Sequence, residues 1–136
     1  MSNNEEKQRL AAELQRAAST SDLEAVRGLF ADDATIWHNF DDTAKPAGAA
    51  LDNLGGMFSV CTRSWHEEPR ATVTDDGFVL QHYNCAELVT GEQVRVPSCI
   101  IATVRDGQIS RFEEYIEVGA AAPLFAAIAA AAGATA

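Results

Sequence analysis

Cysteine is scarce in this chain. Cys61, Cys85 and Cys99 are odd in number, widely separated and without a Cys-x-x-Cys pair. Such a set implies neither a disulfide framework nor a zinc site. Free buried thiols in a reducing compartment are the simplest reading, which points to a cytoplasmic protein. Basic residues are few as well: 10 Lys and Arg stand against 20 Asp and Glu, a formal charge of -10. That is the wrong sign for a phosphate backbone or an anionic bilayer, so neither nucleic acid nor membrane is expected as a partner. A long hydrophobic run is missing too. Residues 120–136 are uncharged, but they are mostly alanine with Pro123 and Gly133 among them, short of the ~20 strongly apolar residues of a bilayer span. The opening MSNNEEKQRL is acidic and polar, where a signal peptide needs basic residues and then an apolar stretch.

What is present suits one domain over residues 1–136, closed by an alanine-rich tail at 120–136. A chain of this length buries enough surface for an apolar core without staples. Ser2 with Glu5, and Ser21 with Glu24, fit capping boxes. The first helix then carries Leu10, Ala11, Leu14, Ala17 and Ala18 on one stripe, and the second carries Leu23, Val26, Leu29 and Phe30. A third helix is expected from Pro46 to Cys61 through Ala47, Leu51, Leu54 and Phe58, with Gly55-Gly56 marking either a kink or a close approach. From Trp65 the texture changes to strands separated by Asp76-Gly77, Gly91 and Asp106-Gly107 turns. The expected strands are 65–74, 78–89, 93–104 and 108–118, preceded by a short one at 34–39. Helices first and a curved antiparallel sheet afterwards make an α+β fold.

Two stretches carry a resemblance. LFADDATIW, within residues 21–39, and VRDGQISRFEEYIE, at 104–117, resemble the nuclear transport factor 2-like superfamily, which includes ketosteroid isomerases, SnoaL-like polyketide cyclases, limonene epoxide hydrolases and scytalone dehydratase. The resemblance implies a cone-shaped sheet wrapped around the N-terminal helices and enclosing a largely apolar pocket, a cystatin-like α+β barrel. Laid on the ketosteroid isomerase pattern, the catalytic base falls at His38, while the two oxyanion-hole donors fall near Leu14 and Ile100, where no donor stands. Laid on the epoxide hydrolase pattern, FEEYIE places an inward acid at Glu114. Arg95 and Glu87 would have to complete that acid–arginine–acid trio. Scytalone dehydratase resembles the chain in its dependence on pocket histidines and tyrosines, which His38, His66, His82 and Tyr83 could supply.

Strand alternation is an independent guide to which side chains converge. Ile36 and His38 share one face of the early strand, with Trp37 on the other. Ser110, Phe112, Glu114 and Ile116 share a face of the last strand, which leaves Glu114 an acid on an apolar surface. His38 as general base with Glu114 as its partner is the catalytic pair these positions suggest. The plainer alternatives are a structural histidine at a strand end and a carboxylate paired with Arg111 or Arg95. Ligand contacts are expected from Asn53, Tyr83, Trp37, Phe112, Ile116 and Phe58, with Tyr83 preferred to His82 as the residue of its strand that reaches the pocket. His66 beside Glu67-Glu68 does not converge as a metal set, and neither a metal nor a cofactor is implied.

Three functions fit this reading: an acid/base enzyme acting on a hydrophobic oxygenated small molecule by isomerisation, dehydration, cyclisation or epoxide hydrolysis; a non-catalytic binder of a hydrophobic metabolite; or a dimeric interaction module. A homodimer is expected through an outer sheet face bearing Trp37, Tyr115, Val79 and Ile101, and a final helix from Pro123 docking Leu124, Phe125 and Ile128.

Overall fold

The computed structural model describes residues 3–134, so Ser2 of the first capping box lies outside the described residues, as do Thr135 and Ala136 of the tail. Helix α1, Asn3–Ser19, buries the stripe Leu10, Ala11, Leu14 and Ala17 that its sequence sets at helical spacing. Lys7 joins that face: its Nζ donates to the carbonyls of Thr74 and Asp75 at 2.9 and 2.7 Å. The ammonium thereby fastens the start of the helix to a strand turn 67 residues away.

The second helix, α2, is shorter than its periodicity suggests, spanning only Leu23–Arg27. Its cap is Asp22, whose Oδ1 accepts from the Ala25 amide, while Ser21 takes a left-handed backbone and bonds Ser64 instead. Leu29 and Phe30 lie beyond the helix cap at Gly28 yet stay buried in the same core, Leu29 in the turn and Phe30 as the first residue of strand β1, Phe30–His38. A two-residue strand, β2 at Lys45–Pro46, precedes α3, Ala47–Ser59. That helix runs unbroken through both glycines. At Gly55 the missing side chain makes room for Leu23, whose Cδ2 would lie 3.2 Å from an added Cβ.

Strands β3 (Cys61–Val73), β4 (Gly77–Leu88), β5 (Gln93–Arg105) and β6 (Gln108–Ile116) form a meander of antiparallel hairpins. Asp106 and Gly107 both adopt positive φ, the two-residue turn whose twist matches the strands it joins. Gly77 serves a different need: a Cβ there would fall 1.9 Å from the Ala102 carbonyl oxygen, so only glycine lets β4 begin against β5. The six-stranded sheet has the order β2-β1-β6-β5-β4-β3 and does not close on itself. Its pairings are antiparallel except that β1 lies parallel to β6, since the chain passes through α3 and the whole meander before returning beside its first strand.

Alternation along β4 and β5 turns Phe78, Leu80, Ile100 and Ala102 toward α1 and α3, and Leu88, Val94 and Val96 toward the final helix. That helix, α4, spans Val118–Ala134, five residues earlier than Pro123 suggests. Glu117 makes the early start possible by accepting the amides of Gly119 and Ala120, donors that a helix start otherwise leaves unpaired. Among the described residues, no helix is long and apolar enough to cross a membrane.

Candidate active site

The parallel register of β1 and β6 sets His38 directly beside Glu114. Asn39 holds that register past the end of the strand, its Oδ1 accepting the Ile116 amide at 2.9 Å and its Nδ2 donating to the Ile116 carbonyl at 3.0 Å. The His38 Nε2 and Glu114 Oε1 stand 3.0 Å apart. Phe40 packs on the imidazole with ring centroids 4.8 Å apart.

The other oxygen of Glu114 is occupied as fully. Ser98 Oγ donates to Oε2 at 2.6 Å and Asn84 Nδ2 at 3.2 Å. Burial, the largest influence on this carboxyl, opposes ionisation; the hydrogen bond and charge of His38, the Ser98 hydroxyl and His82 together outweigh it, and hold Glu114 down to about 2. Glu114 is therefore a carboxylate at any physiological pH, and acceptor-only. This ionised acid sits at one side of a cavity of about 490 Å³. Phe30 and Ile36 line it from β1, Leu51 and Phe58 from α3, and Leu124 and Phe125 from α4.

Cross-strand pairing extends the polar group. His82 faces Ser98, and His66 faces Asn84, so β3, β4, β5, β6 and β1 each place a polar side chain on the inner face. His82 Nε2 lies 2.9 Å from Asn84 Oδ1, and the rings of His82 and His66 stack with centroids 4.1 Å apart. Burial is the main cause that lowers both histidines, taking His66 to about 4, so the stack is neutral at pH 7. Burial likewise pushes the Cys85 thiol up to about 11 with help from Glu67, and raises Cys61. Neither thiol offers a thiolate at neutral pH.

Of the expected ligand contacts, Phe112 and Ile116 from β6 and Asn53 and Phe58 from α3 border the cavity. Two do not. Tyr83 points to the outer face, where the Arg95 guanidinium covers its ring at 3.5 Å; His82 and Asn84 take the inner face in its place. The parity of Phe78 and Leu80, apolar and even-numbered on the same strand, is the signal that decides between them. Trp37 is also on the outer face, packed on Tyr115 at 5.0 Å and donating to Asp42, because alternation opposes it to His38. The epoxide-hydrolase-like trio is not assembled: Arg95 pairs with Glu67 and Glu68, and Glu87 with Arg63. The sequence reading passed over Ser98, although it is the one polar residue in the buried series Val94, Val96, Ser98, Ile100, Ala102.

The fold recurs in solved structures of low sequence identity. A candidate polyketide cyclase from Xanthomonas campestris pv. campestris is 21% identical, with a TM-score of 0.78 over 87% of this chain and 95% of that one. PrhC from Penicillium brasilianum is 14% identical, with a TM-score of 0.79 over 95% and 91%. AclR from Streptomyces galilaeus, a candidate hydroxylase, is 15% identical, with a TM-score of 0.79 over 90% and 86%. A comparison with curated proteins finds no match. The family model of the SnoaL-like domain matches residues 11–112. The chain therefore belongs to the SnoaL-like domain family of the nuclear transport factor 2-like superfamily, a fold used for small-molecule catalysis or binding.

Proposed function

We propose that this protein is an enzyme that carries out acid/base chemistry on a hydrophobic, oxygenated small molecule in its cavity, with His38 as the proton-transferring residue and Glu114 as its partner. The observation that carries the reading is the 3.0 Å contact between His38 Nε2 and Glu114 Oε1 at the edge of an apolar cavity. An ionised Glu114 accepts only, so His38 donates Nε2–H to it, and in its unprotonated form the imidazole keeps its basic lone pair on Nδ1. When Nδ1 takes a proton from a ligand, the carboxylate already in place stabilises the imidazolium, and the proton returns to a second ligand atom from the same nitrogen. Isomerisation, elimination of water and ring closure all need such a removal and return of a proton. The apolar walls contribute by excluding water from the transfer.

Native mass spectrometry of protein purified from its own host would reveal a copurifying ligand. With that ligand as substrate, His38→Asn and Glu114→Gln are each expected to lower turnover by ~100-fold or more, and the double variant to be little worse than either single one, because the pair acts as a unit. A ligand that binds and is returned unchanged would overturn catalysis and leave a carrier of hydrophobic metabolites.

A further inference from the structure

The stacked histidines do no work in the proposed proton transfer, yet they sit on the inner face of the cavity with polar atoms unmatched. The bonding of their neighbours fixes one of them. Glu114 can only accept, so Asn84 must offer it the amide nitrogen; the Asn84 oxygen is then turned to His82, and His82 must carry its proton on Nε2. His82 Nδ1 is consequently an unprotonated acceptor, buried and without a hydrogen-bond partner among the described residues. Among the described residues the Nδ1 atom of His66 is buried without a partner as well. Unpaired buried polar atoms are rare in folded proteins because each one costs free energy. Two on adjacent stacked rings, both residues bordering the same cavity, single out this corner of the cavity as the place for a further polar contact.

We infer that His66, backed by the locked His82, is a second ligand-binding subsite of the cavity, which takes a hydroxyl or carbonyl oxygen of an uncharged ligand. His66 borders the cavity, and a half-turn of its ring brings the now buried Nδ1 to the ligand, where it donates to a carbonyl in one tautomer and accepts from a hydroxyl in the other. Glu114, whose charge acts on both rings of the stack, repels an anion, and the lining residues around it are mainly apolar. The subsite therefore selects neutral oxygenated molecules over carboxylates and over plain hydrocarbons of equal size. It is separated from His38 by Glu114 and Asn84, so one ligand meeting both ends needs an oxygen at a distance from its reacting atom. This assignment concerns binding alone and stands whether or not His38 performs catalysis.

The test uses three probes of one shape at pH 7: 2-naphthol, naphthalene and 2-naphthoate. Binding is measured by fluorescence, and by long-range 15N NMR of the histidine rings in the full-length protein. Naphthol is expected to bind about threefold to tenfold more tightly than naphthalene, the worth of one hydrogen bond, with naphthoate weaker than both and the His66 nitrogens moving on addition of naphthol. In His66→Phe the preference for naphthol over naphthalene should vanish, and in His38→Asn it should persist. His66→Gln, which keeps hydrogen-bonding capacity, should retain part of it, and the wild-type nitrogen shifts give an answer even if the phenylalanine variant does not fold. Equal binding of naphthol and naphthalene to the wild type, no binding of naphthol at millimolar concentration, or unmoved His66 nitrogens would each overturn the subsite. So would loss of the preference in His38→Asn alone. None of these outcomes depends on turnover, so failure here is distinct from failure of the acid/base reading.

Discussion

Ser98 reaches Glu114 across the β5–β6 pairing, its hydroxyl 2.6 Å from Oε2, and is itself only 8% exposed. A serine in an otherwise apolar row is thus the shortest donor to the ionised acid at the polar side of the cavity. Removing it should leave a buried oxygen short of a donor. Ser98→Ala is expected to lower stability by about 1–3 kcal/mol and to raise the pKa of Glu114, since the hydroxyl is one of the causes that hold it down. Urea unfolding and the 13C shift of the Glu114 carboxyl against pH measure the two effects. An unchanged titration would mean that the hydroxyl does not serve the carboxylate.

His38→Asn should raise the Glu114 pKa further than Ser98→Ala does. Burial, already the largest influence on that carboxyl, would then meet weaker opposition, because His38 supplies the two largest of the causes that lower it. The same 13C titration reads this directly. Identical curves in wild type and variant would show that the two side chains do not meet in solution.

Acid should weaken the fold in two stages. His66 is held down to about 4 in the folded chain, so as pH falls below 6.5 the unfolded chain takes up a proton that the folded chain refuses. Stability is complete above that point and is lost toward pH 4, by something on the order of 3 kcal/mol at ~1.4 kcal/mol per unit. Glu114, held down to about 2, has the same sign in a lower window: its contribution is present above pH 4.5 and disappears as pH falls toward 2. His66→Phe should make the upper stage shallower, with the share of His82, which burial also lowers, remaining, and leave the lower one in place. Unfolding free energies measured from pH 7 to 3 would show it, and equal slopes in the two proteins between pH 6.5 and 4 would contradict it.

The outer face of the sheet bears Tyr115 at 45% and Ile101 at 41% exposure, beside Trp37. We expect two copies to cover this apolar surface by association. Sedimentation at micromolar concentration should give twice the 14.5 kDa chain mass, and a Tyr115→Asp, Ile101→Lys double variant should shift it to the monomer. A wild-type protein that sediments as a single chain would refute the dimer.

Helix α4 is expected to hold the cavity closed. Ala121 is 1% exposed, Leu124 and Phe125 border the cavity, and Phe125 meets Phe40 at 5.1 Å. Removing residues 120–136 should lower the melting temperature and speed the release of bound naphthol. Phe125→Ala should do both to a smaller degree, at a cost of about 1–3 kcal/mol. If truncation left the melting temperature and the release rate unaltered, the helix would not be docked.

Local order in this protein is written along the chain. The stripe Leu10, Ala11, Leu14, Ala17 makes α1 because apolar residues at that spacing face one way. The Asp106-Gly107 pair makes a hairpin because two successive positive φ values suit those residues. The inward parity of Ile36 with His38, and of Phe112 with Glu114, follows from a period of two. What depends on separation in sequence could not be read that way. No periodicity says that β1, besides pairing with β2, will lie parallel to β6, yet that pairing across 76 residues is what puts His38 beside Glu114. The same holds for Asn84, Ser98 and His82, which become one polar network only once β4, β5 and β6 are in register. The early start of α4 rests on Glu117 capping it, where Pro123 was the stronger local signal. Helices, turns and the faces of strands arise from contacts between near neighbours, which a linear pattern records. The site arises from hydrogen bonds between distant strands, which only the folded sheet brings within about 3 Å of one another.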